Sequence, residues 1–443
     1  MSDAPRILFI AHNHPELHPG GTEIFSHGLF RTLKEEHGLD ALFLACVNAI
    51  HRGRLPGTLL QSTGRAADEL LLWAGHFDRF MLSQIDLHGV VPELERLLLS
   101  FRPDIVHFHH MLLIGVEAIH LVRRVLPEAA IALTLHDYYP ICANDGQMVT
   151  TKDHRLCHKA SADACTGCFP EAARDRFVMR ELFIKQCLSQ VDHFISPSEF
   201  LKRRYVEWGL PEERIAVIRN GISEAALAPH RPLAAEGRRN RFAYFGHLNP
   251  YKGALIAITA AQRLAARLDN GVGGSFSLAL HGAADFQTDG FKEELRAALE
   301  TAPSVTVHGR YPRDDMPTLM AEVDWVVMPS VWWENAPLVI QEAFRHRRPV
   351  ICSGIGGMAE AVRHGIDGLH FRPGDPAHLA ERMEEALDPA LWERLVSAIR
   401  PPETMAQSAE RHLAFYRELR PVRSEAAKPG DLPATRRFGR RAA

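Results

Sequence analysis

Two carboxylates with seven residues between them, Glu334 and Glu342, stand where an apolar run gives way to a helical pattern. Trp325–Met328 reads as a buried strand, the residues up to Asn335 and Ala336 as a short loop, and Pro337 as a first helical position, where its missing N–H costs nothing. The free backbone N–H groups around Ala336, Leu338 and Val339 then make an anion site at the helix start. Glu334 precedes that site and Glu342 lies past the first helical turn. A nucleotide sugar offers a diphosphate with a sugar on one side and a ribose on the other, and carboxylates accept hydrogen bonds from the hydroxyls of both. Singly, each residue has a plain explanation, Glu334 as a capping acid and Glu342 as an exposed helix residue. Their order around one anion site carries the functional reading.

A second cluster is sulfur. Cys142, Cys157, Cys165 and Cys168 fall in one loop, and Cys165-Thr-Gly-Cys168 has the close pair spacing of a zinc knuckle. Cys142 and Cys157 are split by fourteen residues, wider than such pairs usually are. Two readings stand: a closed structural zinc site that rigidifies a polar loop, or four reduced thiols. His107, His109 and His110 cluster at the end of the strand Asp104–Phe108, with ligand contact by His109 or His110 and simple packing as the alternatives.

Around these residues the chain resembles a known family, the retaining glycosyltransferases of family 4 (group 1), which have the GT-B fold. Glu334-x7-Glu342 followed by Ala343 matches the family's signature. Pro349 to Glu360, with Gly356-Gly357, resembles its Gly-Gly loop and following helix, and Gly365 to Asp375 its closing motif. Tyr244-Phe-Gly246 through Lys252-Gly253 resembles its Gly-Arg-Leu…Lys-Gly segment. Pro19-Gly-Gly21 resembles the N-domain glycine loop, and Leu135-His136-Asp137 the His-Asp segment. The resemblance covers roughly residues 6–390. It implies that Lys252 pairs with the donor diphosphate and stabilises the leaving group, that Glu334 holds the transferred sugar and Glu342 the ribose, and that His136 sits over the sugar. It also implies that Gly20 and Gly21 let the backbone approach the ligand. The family often has Arg where this chain has His247, which supplies a cation only when protonated; Arg310 is a candidate substitute. No catalytic metal is implied.

The elements that must position these residues alternate along the chain. Strand-like runs are Ile7–Ala11, Ala41–Val47, Asp104–Phe108, Ala130–Leu135 and Asp192–Ser196, then Arg241–Phe245, Ser277–His281, Val305–His308, Trp325–Met328 and Pro349–Cys352. They lack apolar–polar alternation, as strands covered on both faces do. Amphipathic segments such as Thr22–Glu36 and Ala254–Leu268 lie between them, so the fold class is α/β, two doubly wound Rossmann-like domains facing a central cleft. The expected division is an acceptor-binding domain over 1–200, a connection over 201–240, a nucleotide-sugar-binding domain over 241–390, C-terminal helices over 391–420 and a basic tail over 421–443.

The length of 443 residues allows two or three domains. Lys and Arg number 51 against 54 Asp and Glu, a formal charge of −3, which speaks against a bulk nucleic-acid binder. Seven Cys, an odd number, and no recognisable leader or spanning run place the chain in a reducing cytoplasm. The tail arginines Arg436, Arg437, Arg440 and Arg441 allow peripheral contact with the inner face of a membrane.

The expected activity is transfer of a sugar from a nucleotide-diphosphate sugar to a polysaccharide or lipid-linked glycan precursor, with retention and with no cofactor beyond the donor. Residues 51–100, with Trp73, Phe77, Phe80 and Met81, form a candidate acceptor surface. The rivals are a nucleotide-sugar epimerase of the same fold and a non-catalytic nucleotide-binding scaffold. A nicotinamide oxidoreductase is disfavoured because no Gly-x-Gly-x-x-Gly follows the first strand.

Overall fold

The computed structural model describes residues 5–64, 66–224, 226–233, 235–269, 275–285 and 287–419; the basic tail from Pro421 lies outside them. Two sheets organise the chain. The first runs in the order Ile215–Val217, His193–Ser196, Ala130–Thr134, Ile105–Phe108, Ile7–His12, Ala41–Val47, Glu69–Trp73, Leu60–Ser62. Its strands are parallel except for the final pair. The second is wholly parallel: Val305–Gly309, Ser277–His281, Arg241–Phe245, Trp325–Met328, Val350–Ser353, Gly368–Phe371. Both are doubly wound, the architecture expected from the sequence.

The first strand shows why its sequence has no polar alternation. Leu8 and Ile10 enter one apolar cluster, while Ile7, Phe9 and Ala11 enter another on the opposite face. The second sheet repeats this: Phe242 and Tyr244 pack on one side, Ala243 and Phe245 on the other. Each such side chain contributes about 1.5–3 kcal/mol by leaving water, so both faces must be covered by helices.

The chain passes between the two units twice. Strand Ile215–Val217 pairs with His193–Ser196, so the N-terminal unit runs on past residue 200. Helix Pro389–Ala398 packs through Leu391, Trp392 and Leu395 on the C-terminal core. Helix Met405–Glu418 then returns to the N-terminal sheet, burying Met405, Ala409, Leu413 and Tyr416 against Phe25 and Leu29 of helix Gly21–His37. Its start carries a capping box formed by Thr404 and Gln407. Among the described residues no helix is long and apolar enough to cross a membrane.

Candidate active site

The strand C-termini of both sheets open on one cavity of about 630 Å3. Gly20, Gly21 and His136 line it from the N-terminal side; His247, Lys252, Glu334, Asn335, Ala336, Pro337, Leu338 and Glu342 line it from the C-terminal side. Every donor-binding and catalytic candidate named from the sequence therefore borders the same space.

On the C-terminal wall, strand Arg241–Phe245 leads into a loop that ends at Lys252. The Lys252 N–H donates to Asn249 Oδ1 at 2.8 Å. Gly253 follows with φ of 75°, and a Cβ there would lie 2.1 Å from the Pro329 carbonyl oxygen. Only glycine permits that approach, and it presses Lys252 against the end of strand Trp325–Met328. Lys252 Nζ reaches Glu334 Oε1 at 2.6 Å, with Trp332 beneath it at 5.2 Å to the ring centroid. The same Oε1 accepts from Ser330 Oγ at 2.9 Å and Trp332 Nε1 at 2.7 Å. Three donors on one oxygen fix the carboxylate, and two of them, Ser330 and Trp332, had no role in the sequence reading.

Helix Leu338–Arg345 begins one residue later than expected. Pro337, with φ −67° and ψ 119°, is the residue before the helix, and its carbonyl accepts from Ile340 N–H at 3.1 Å. Leu338 and Val339, whose N–H groups have no intrahelical partner at a helix start, still line the cavity. Glu342 meets Arg313 at 3.0 Å, a partner the sequence gave no spacing cue for. Burial pushes the Glu342 carboxyl above its ordinary value, and Arg313 opposes the shift. His247 is held below the ordinary imidazole value by burial and then by Lys252, so it is a neutral group at pH 7 and no substitute for a permanent cation. Arg310 also borders the cavity and pairs with Asp285 at 2.7 Å.

The N-terminal wall is built differently. Burial drives the His136 imidazole down to about 3. Its Nε2 meets His109 Nδ1 at 3.0 Å, and its backbone carbonyl accepts from Asn335 Nδ2 at 2.8 Å, which ties the two walls together. His110 bonds Asp137 at 2.6 Å. Burial works to raise the Asp137 carboxyl, but contacts with His110, the Tyr139 N–H and His136 outweigh it and hold it below its usual range. His107 is fully buried between Tyr416 Oη at 2.6 Å and Thr134 Oγ1 at 2.7 Å. None of the three histidines His107, His109 and His110 lines the cavity; His109 and His110 back the His136–Asp137 pair.

Glu23 was not picked out from the sequence. It is 2% exposed, lies 3.2 Å from His12 and sits directly beneath Gly20, where a Cβ would come within 2.4 Å of its Oε2. Burial pushes its carboxyl up to about 7. Its position, three residues past Gly20 at the start of helix Gly21–His37, was the available signal.

Two further expectations concern the cysteine loop and residues 51–100. The four cysteines are free thiols, and no three of their sulfurs lie within 4.8 Å of one another. Cys165 and Cys168 share one helical face on Ala162–Cys168, while Cys142 and Cys157 are held in separate turns by backbone bonds to Tyr138 and Met148. The four thiols nevertheless neighbour one another: Cys142 feels Cys157, and Cys157 and Cys165 both feel Cys168. Burial, then the neighbouring Cys142, pushes the Cys165 thiol up to about 11. Trp73, Phe77, Phe80 and Met81 do not border the cavity; Phe80 packs on Phe177 at 5.4 Å and carries Arg176 at 4.6 Å. Glu360, in the Gly-Gly segment, accepts from the backbone N–H groups of Glu199 and Phe200 at 3.0 and 2.7 Å, capping an N-terminal-domain helix from across the boundary.

Two family models match the chain: Glycosyl transferases group 1 over residues 239–389 and Glycosyltransferase Family 4 over residues 72–225. A D-inositol 3-phosphate glycosyltransferase of Mycolicibacterium vanbaalenii is 27% identical over 253 residues, 54% of this chain and 55% of the relative. A glycogen synthase of Mycobacterium tuberculosis is 29% identical over 305 residues, 68% of this chain and 64% of the relative. The chain thus spans about half to two thirds of the length of these curated relatives. Among solved structures, Anabaena Alr3699/HepE in complex with UDP and glucose superposes with a TM-score of 0.65 at 16% identity, covering 94% of this chain and 100% of that one. Sucrose-phosphate synthase from Thermosynechococcus elongatus gives 0.64 at 15% identity, covering 93% and 98%. These likenesses show the GT-B fold.

Proposed function

The chain belongs to the group 1 glycosyltransferases of family 4, and on that premise we propose that its cleft transfers a glycosyl group from a nucleotide-diphosphate sugar to a hydroxyl acceptor, with retention of anomeric configuration. The observation that carries this reading is the Lys252–Glu334 pair, 2.6 Å apart on the C-terminal wall, facing the glycine loop and His136 across one cavity.

In this reading the donor diphosphate lies against Lys252 and the N–H groups at the start of helix Leu338–Arg345. Charge develops on the departing diphosphate as the glycosidic bond breaks, and a fixed cation there lowers the barrier without reorganising. Glu334, already held by Ser330 and Trp332, accepts hydroxyls of the transferred sugar. Glu342 accepts the ribose hydroxyls. His136, neutral at pH 7, offers a hydrogen-bonding edge to the sugar from the other wall, and its contact with Asn335 couples domain closure to completion of the site. Closure excludes water and so limits donor hydrolysis. The acceptor enters from the N-terminal side and is a glycan or sugar-phosphate hydroxyl.

The test is to incubate the protein with a panel of nucleotide sugars, with and without glycan and sugar-phosphate acceptors, and to read the product anomer by NMR. Nucleoside diphosphate released together with an acceptor-linked sugar of unchanged anomeric configuration supports the reading. An epimerised donor formed without acceptor would assign the chain to the rival isomerase activity, and an inverted product would remove retention.

A further inference from the structure

We propose that His14, His27 and Glu69 form a binding site for a divalent transition metal of the zinc class, remote from the Lys252–Glu334 pair and clamping the base of the glycine loop. Among the described residues this is the one group of three metal-ligating side chains whose ligand atoms all lie within 4.8 Å of one another. His14 lies in the loop after strand Ile7–His12, His27 is on helix Gly21–His37, and Glu69 opens strand Glu69–Trp73. His14 Nε2 is 3.3 Å from Glu69 Oε2, and His27 Nε2 is 3.1 Å from Glu69 Oε1. The two imidazoles meet edge to face at 5.0 Å between centroids. Two imidazoles and a carboxylate make a donor set suited to zinc, with a fourth position left for water.

The surroundings favour a ligand. His14 is 1% exposed and Glu69 5%. His27 Nε2 is buried and, despite its distance to Glu69, makes no aligned hydrogen bond. Gln61 stands opposite Leu71 in the antiparallel register and therefore on the same sheet face as Glu69. Its amide is 4% exposed with both polar atoms unpaired. This pocket thus holds more polar capacity than the protein satisfies, which is costly unless something else binds there. Phe30 and Phe43 wall the pair of histidines, at 6.0 and 5.3 Å from His27.

Binding has defined local consequences. The metal replaces the Nε2 proton that His14 shares with Glu69; that proton moves to Nδ1, and the long 3.4 Å contact from the Glu16 N–H is given up. Arg31, which now lies 3.3 Å from Glu69 Oε1, swings away toward Glu35, its other partner. Its side chain is 43% exposed and free to do so. His14 precedes Gly20 by six residues and His27 follows Gly21 by six. One ion would therefore pin both flanks of the loop that lines the cleft, and the inference stands whether or not the cleft transfers sugar.

The test is cobalt titration of the intact metal-free protein, followed by absorption spectroscopy and thermal melting. One equivalent of Co2+ should give visible d–d bands without the intense near-ultraviolet charge transfer of thiolate ligands, and should raise the melting temperature. H27A and E69Q should each weaken binding by at least ~10–100-fold, the scale seen when even an outer support of a metal site is lost. The double variant C165S/C168S should leave binding unchanged. Thiolate charge transfer that disappears in C165S/C168S would move the metal to the cysteine loop and overturn the proposal. So would binding unaltered by H27A, or no saturable binding at all. Because H27A alters a partly exposed residue, its far-ultraviolet circular dichroism should match the wild type; if it does not, E69Q, which preserves shape, decides.

Discussion

The two walls of the cleft solve one problem by opposite means. The C-terminal wall carries fixed charge at its surface: Lys252 against Glu334 and Arg313 against Glu342, each pair at a strand end or helix start and bordering the cavity. The N-terminal wall carries polar groups whose charge is set by burial and neighbours, with the Asp137 carboxyl held below its usual range beside His110. His136 is driven down to about 3 by its surroundings, and Glu23 is pushed up to about 7 beneath Gly20. A wall that must hold a dianionic diphosphate gains from permanent cations. On the proposed function, a wall that admits a hydroxyl acceptor gains from carrying no permanent cation that would compete for the phosphate. The near-neutral chain, with its formal charge of −3, follows from this division: the cationic work is local.

The comparison breaks most decisively at Lys252. K252A should lower turnover by about 10²–10³-fold, the cost of removing one preorganised charge partner, with an unchanged melting temperature. Steady-state kinetics beside thermal melting checks both halves, and retained turnover would show that the wall's charge is not catalytic. E342A should raise the donor KM by roughly 10–100-fold with a smaller change in kcat, because it removes hydrogen bonds to a charged acceptor. A change confined to acceptor KM would reverse the assignment of the two walls.

On the N-terminal wall the expected signature is pH. The folded Glu23 carboxyl sits at about 7 against an ordinary 4.5, so the folded state holds its proton more tightly. Its contribution is complete below about pH 4.5 and is lost as pH rises through 7. Relative to E23Q, which does not titrate, the wild type should lose stability across that window, by at most about 3 kcal/mol. Denaturant melts of both proteins at pH 5 and 8 read the difference; an equal gap at both values would mean that Glu23 is already ionised. E360Q should have the smallest effect, about 0.5–2 kcal/mol, since it weakens one helix cap. Because that cap joins the domains, its donor KM should rise modestly, which a purely local cap would not produce.

Much of this was legible in the sequence because the informative residues are local. Trp325–Met328, Arg241–Phe245 and Ser277–His281 match their strands end to end, since strands buried on both faces leave unbroken apolar runs. The Lys252, Glu334 and Glu342 constellation was legible for the same reason, each residue lying within a few positions of a strand end or helix start. What stayed hidden depends on tertiary approach. Arg313 meets Glu342 across twenty-nine positions of chain, and Glu360 caps a helix 160 residues earlier. The short strands Leu60–Ser62 and Glu69–Trp73 extend one edge of the sheet, and the first has too few apolar residues to declare itself. That Cys142, Cys157, Cys165 and Cys168 become neighbours is likewise a matter of tertiary approach, since a helix and two separate stretches of loop supply them.

The division of labour between the walls rests on Lys252 as the group that holds the diphosphate. Calorimetric titration of uridine and guanosine diphosphates into the wild type, K252A and H136A tests it directly. The account predicts that K252A weakens nucleoside diphosphate binding by about tenfold or more, while H136A leaves it within about twofold. Equal weakening by both variants, or undiminished binding by K252A, would contradict it.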